Sequence, residues 1–150
     1  MTAKLDQIFA YKDLRAHPLI AMHVVMATRL SLLYVRAGRD PLPDLAVRLR
    51  SMRAAQSHQT LMMAIDRIWP ESFTIRRPCC MDLSPDEMLL ADVAAAAMHG
   101  DRGQAMDAMR DLLPGLARER IFRDMIELVD AIRAVPVRQT GTADQTGSVE

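Results

Sequence analysis

The residues of this chain best suited to chemistry are two adjacent thiols, Cys79 and Cys80, in the run Arg76-Arg77-Pro78-Cys79-Cys80-Met81. Two guanidiniums precede them and a helix start follows. Nearby positive charge stabilises a thiolate, so Arg76, Arg77, Cys79 and Cys80 together read as a thiol or redox site. A metal role needs more. Structural zinc takes four ligands and favours cysteines two residues apart. His58 and His99 complete a set only if the fold brings them to this loop. The plainer alternative makes the cysteines small buried anchors of a loop. Two cysteines in 150 residues exclude a disulfide framework.

Other constellations compete with simpler explanations. The chain has 12 methionines, and Met22 and Met26 flank His23 at helical spacing. Methionine and histidine together suit copper(I). With only 4% aromatic residues, however, methionine is the natural core filler. Arg36, Arg39, Arg50 and Arg53 could contact phosphates, and Arg50 and Arg53 share a helix face while Arg48 points elsewhere. No turn-containing recognition helix accompanies them, and no aromatics interleave with them to stack bases. A solvated or salt-bridged face explains them, and nucleic acid is not expected as the partner.

Acid–base chemistry has little support. Asp124, Glu127 and Asp130 follow one another at three-residue spacing. A di-metal carboxylate bundle would need Glu-x-x-His pairs, and no glutamate here has a histidine three residues on. There is no glycine-rich phosphate loop, HExxH or GxSxG. The chain is therefore expected to be no enzyme, with no catalytic residue, no metal and no cofactor.

Charge is balanced overall but polarised along the chain. Formal net charge is zero, which argues against a generic polyanion binder. Residues 1–53 carry +5, residues 54–80 carry +1 and residues 81–150 carry −6. A basic N-terminal half and an acidic C-terminal half can attract each other within one fold or between subunits.

The elements that must position these groups read as helices. Leu5, Ile8, Phe9 and Lys12 share a face over residues 4–14. A second helix follows Pro18 and runs to Ala37, where Gly38 is a left-handed stop. Its predicted inner face is Leu19, Met22, His23, Met26, Leu30, Leu33 and Val35. The apolar run Leu19–Val35 contains His23 and Arg29 and is short for a span, so a buried helix is expected rather than a membrane segment. Residues 38–43 read as a loop because of Pro41 and Pro43. A third, long helix spans residues 44–68, with a kink or exposed segment at Gln56-Ser57-His58-Gln59. Residues 70–83 lack helical patterning and read as a structured loop.

Ser84-Pro85-Asp86-Glu87 announces the next helix. Ser84 is an N-cap, Pro85 the first helical residue, and Glu87 the third position of a capping box. This helix runs to Met98 or His99, with an Ala94–Ala97 stretch that admits a close neighbour, and Gly100 stops it. Further helices span residues 102–113 and about 114–134. The polar, Gly/Thr/Gln-rich residues 137–150 read as a disordered tail. The expectation is an all-α, irregular bundle of five to six helices over residues 1–136.

The block Arg77-Pro78-Cys79-Cys80, then Ser84-Pro85-Asp86-Glu87-x-x-Leu90, resembles a small alphaproteobacterial family of uncharacterised helical proteins. The resemblance covers roughly residues 42–134. It implies a helical fold with a Pro-Cys-Cys loop before a capped helix, and no activity. Some members carry a third adjacent cysteine where this chain has Met81, which weakens a metal role here.

These readings converge on a non-enzymatic helical interaction or regulatory protein that docks a protein partner or self-associates. The alternatives are a thiol-based redox or metal sensor at Cys79 and Cys80, and nucleic-acid binding through the basic N-terminal half. The segment Met1–Gln7 lacks a basic stretch followed by an apolar one, so a cytoplasmic location is expected.

Overall fold

The computed structural model describes residues 12–136. The expected helix over residues 4–14 falls largely outside them, and so does the tail at 137–150. A 3₁₀ turn at Leu14–Ala16 leads into six α-helices, with no strand among the described residues. These are α1 (Leu19–Arg36), α2 (Leu42–Leu49), α3 (Met52–Ile68), α4 (Pro85–Met98), α5 (Arg102–Ala108) and α6 (Gly115–Arg133). The fold is all-α, as the patterning predicts.

Helix α4 is central and packs against α1, α5 and α6. Its buried residues are Glu87, Leu90, Ala91, Val93, Ala94, Ala96 and Ala97, and the alanines let neighbours approach closely. Helix α3 packs on α6 and α2. A smaller core of Ala27, Leu45, Leu49, Ala54, Ala55 and Ala131 joins α1, α2 and α3 to the end of α6. The capping box is present: Ser84 Oγ accepts from Glu87 N–H, and the Glu87 carboxylate accepts from Ser84 N–H. Gly38 and Gly100 stop their helices at φ +70° and +63°.

Three expectations need correction. The long helix over residues 44–68 is two helices, broken where Arg50 takes left-handed φ 56° and Ser51 caps α3 through Ala54 N–H. The polar run 56–59 causes no break, and His58 lies wholly buried. Pro43 sits inside the first turn of α2, where its missing N–H is harmless.

The inner face of α1 also differs. It consists of Ala21, Val24, Val25, Ala27, Thr28, Arg29 and Ser31, while Leu19, Leu33 and Val35 are 66%, 40% and 58% exposed. Small residues face the alanine-rich α4, and Arg29 is drawn inward by a buried carboxylate. By length and composition alone α1 could cross a membrane, with a mean hydropathy of 1.4. Here it is a packed helix of the bundle with a charged residue at its core.

Candidate functional site

The segment between α3 and α4 carries the cysteines, and its path is set by two carboxylates at the start of α4. Asp86 accepts from the indole Nε1–H of Trp69 at 3.1 Å and from Thr74 N–H at 2.8 Å. Glu87 accepts from the backbone N–H of Arg76 at 3.2 Å and of Ser84 at 2.9 Å. Ser84 Oγ donates to the Thr74 carbonyl at 2.5 Å. These bonds fold the loop back across the positive end of the helix.

Arg29 holds the other side of the loop. Its Nε donates to Glu87 Oε2 at 2.5 Å and its Nη2 to Oε1 at 3.1 Å, and neither side chain has any solvent exposure. Nη1 donates to the Cys80 carbonyl at 2.7 Å and Nη2 to the Asp82 carbonyl at 2.9 Å. Such saturation of donors and acceptors is what a buried pair needs to offset desolvation. The loop is also tied to the N-terminal segment: Leu14 N–H donates to Met81 O at 2.7 Å, and Leu83 N–H to Lys12 O at 2.8 Å.

On this scaffold Cys79 is exposed and Cys80 half-buried, both as free thiols. The plain reading of both as core anchors does not hold for Cys79. Arg76 and Arg77 are exposed beside them in the chain. The histidines do not join them. His58 is sealed in the core, its Nε2 3.1 Å from Thr28 Oγ1. His99 closes the far end of α4, about 20 Å away along the helix axis. Among the described residues, no three metal-ligating His, Cys, Asp or Glu side chains cluster.

The other sequence candidates disperse. Asp44 of α2 accepts from the Tyr34 hydroxyl, and the Arg39 guanidinium lies 4.9 Å from the centre of the Tyr34 ring. At the opposite end of α2, Arg48 and Arg50 lie close enough to His23 to lower its pKa, in addition to the larger effect of burial. Arg36 and Arg39 therefore stand at one end of this helix pair, and Arg50 and Arg53 at the other. His23 faces cations, and the Met26 sulfur lies 3.8 Å from Arg29 Nη1, an arrangement poorly suited to copper(I). Asp124 is buried and paired with Arg120 at 2.9 Å, whereas Glu127 and Asp130 face solvent.

One concave surface was not foreseen. An open groove of about 680 Å³ runs between α1 and α3 and ends on the first residues of the loop. Leu32, Met62, Trp69 and Phe73 line it, and Val35 and Met63, each 58% exposed, stand at its edge. The Trp69 and Phe73 rings meet at 5.3 Å, tilted by 55°. Arg36, Asp66 and Glu71 rim the groove, and none has an ion-pair partner among the described residues. A clue lay in the run Leu61-Met62-Met63 beside the chain's single Trp69, which together exceed what one buried stripe can hide.

No protein-family model, no curated protein and no solved structure matches this chain.

Proposed function

We propose that this chain is a non-enzymatic interaction protein, and that its α1–α3 groove docks a second copy of the chain. The observation that carries this reading is an apolar groove with unpaired rim charges of both signs. Val35 and Met63 are large side chains left in water beside Trp69 and Phe73, and burying them is favourable. A two-fold contact is isologous, so each residue meets its complement twice. Arg36 of one copy then faces Asp66 and Glu71 of the other, on both sides of the axis. A stable dimer buries about 800 Å² per partner, so the contact extends past the groove onto the exposed surfaces of α1 and α3.

Light scattering over a concentration series tests the reading. The expected result is a dimer that dissociates on dilution, and Met63→Glu shifts it to monomer while leaving the helical circular dichroism unchanged. A chain that stays monomeric at all concentrations, or a dimer indifferent to Met63→Glu and Val35→Glu, overturns it.

A further inference from the structure

The corner where α2 meets α3 supports an inference independent of the groove. Helix α2 ends in a tight turn, in which Arg50 N–H donates to the Val47 carbonyl at 3.3 Å and Ser51 N–H to the Ala46 carbonyl at 3.1 Å. Leu45, Leu49, Ala54 and Ala55 point into the smaller core, which turns the other large side chains of the corner outward. Val47, Arg48, Arg50, Met52 and Arg53 are all exposed there. Val47 is 77% exposed and Met52 49%. The three guanidiniums make no ion pair among the described residues. The sequence gives the reason, since no carboxylate occurs between Asp44 and Asp66 and none in α1. Asp44 stands at the other end of α2, on the Tyr34 hydroxyl. Ala131 of α6 joins the same core, and its neighbour Asp130 pairs with none of the three arginines. The charge gathers in space as well as along the chain, because His23 of α1 senses both Arg48 and Arg50.

Uncompensated positive charge and exposed apolar side chains thus share one corner of the bundle. That combination suits a lipid surface, where apolar groups enter the boundary between headgroups and acyl chains while cations meet phosphates. Guanidinium holds a phosphate through two parallel hydrogen bonds. A nucleic-acid backbone would use the charges but offer Val47 and Met52 no apolar partner, and the corner has no aromatic residue on which a base could stack. We propose that the α2–α3 corner docks on an anionic phospholipid surface, with Arg48, Arg50 and Arg53 on headgroup phosphates and Val47 and Met52 beneath them. Arg50 holds a left-handed φ of 56°, where glycine would be unstrained, and its guanidinium then supplies a contact that glycine cannot.

The full-length chain is floated with vesicles of phosphatidylcholine, with and without phosphatidylglycerol. Binding is expected to the anionic vesicles only, and to weaken strongly at high salt. One guanidinium near such a surface is worth about fivefold in partition, so Arg48→Ala combined with Arg53→Ala is expected to weaken binding roughly 25-fold. Val47→Ser combined with Met52→Ser leaves the charge unchanged and is expected to weaken binding at least roughly fivefold. Arg50→Gly relieves the left-handed backbone and is still expected to lose about fivefold. All five side chains are exposed, so unchanged helical circular dichroism separates lost binding from lost fold. No flotation with anionic vesicles, equal flotation with neutral ones, or indifference to either double substitution overturns the proposal. So does tighter binding of duplex DNA or RNA that needs the arginines but not Val47 and Met52.

Discussion

Arg29 and Glu87 are 58 residues apart in the chain, and their side chains meet through two hydrogen bonds with no solvent contact. This pair fixes α1 on α4 and holds the loop between α3 and α4 through the carbonyls of Cys80 and Asp82. Removing one partner of a buried pair leaves an uncompensated charge, at a cost of about 3–5 kcal/mol. Glu87→Gln is nearly isosteric, removes the charge and turns one acceptor oxygen into an N–H donor that faces other donors. Urea unfolding of this variant is expected to show a loss of that size, a large share of the roughly 5–15 kcal/mol that holds an ordinary domain together. A loss below about 1 kcal/mol would show that the pair does not organise the fold.

His58 gives the protein a defined acid sensitivity. It is wholly buried, and burial lowers its pKa to about 4. Thr28 Oγ1 donates to the Val24 carbonyl, so His58 Nε2–H donates to Thr28, and Nδ1 is left without a partner. The unfolded side chain titrates near pH 6.5, above the folded value. The unfolded state therefore takes up protons first as pH falls, and stability declines from about pH 6.5 down to about pH 4. Between pH 7 and pH 5 the loss from this group is about 2 kcal/mol. His58→Leu should remove that component, and the difference between the two pH profiles of the urea midpoint measures it.

The legible parts of the structure were those written in local chemistry. Ser84, Pro85 and Glu87 give the start of α4, and Gly38 and Gly100 give two helix ends. The inner face of α1 was not legible by hydrophobicity, because its position depends on a partner 58 residues away. Arg29 is the signal that was available. A single charged residue inside an apolar helix needs a buried carboxylate, and the face that carries it must turn inward. The groove was hidden for a related reason, since it forms only when α1, α3 and the loop at Trp69 come together.

The break between α2 and α3 was missed, because the left-handed residue that ends α2 is Arg50 and not a glycine. A non-glycine residue at φ 56° pays a steric penalty that glycine avoids. Arg50 is exposed and makes no ion pair among the described residues, so little opposes its replacement. Arg50→Gly is expected to raise stability by about 1 kcal/mol. Arg50→Ala keeps the strain and should show no such gain. Thermal melts of both variants check the contrast.

The last prediction concerns the floor of the groove. Trp69 is the chain's single tryptophan, so its fluorescence reports this site alone. The residue is 8% exposed, its ring packs at a tilt against Phe73, and its Nε1–H is tethered by Asp86. The same carboxylate holds Thr74 N–H, so Asp86→Ala frees both donors at once. The expected cost is about 1–3 kcal/mol, with a red shift in emission as the ring loosens toward water. Asp86→Asn keeps one acceptor and should fall between the alanine variant and wild type. If the groove is the dimer contact, wild-type emission also shifts to the blue as concentration rises, because a second copy removes water from the ring. That shift should vanish in Met63→Glu, which leaves the tether intact. Emission that ignores both Asp86→Ala and concentration would place Trp69 in ordinary core packing and remove the groove from the account of binding.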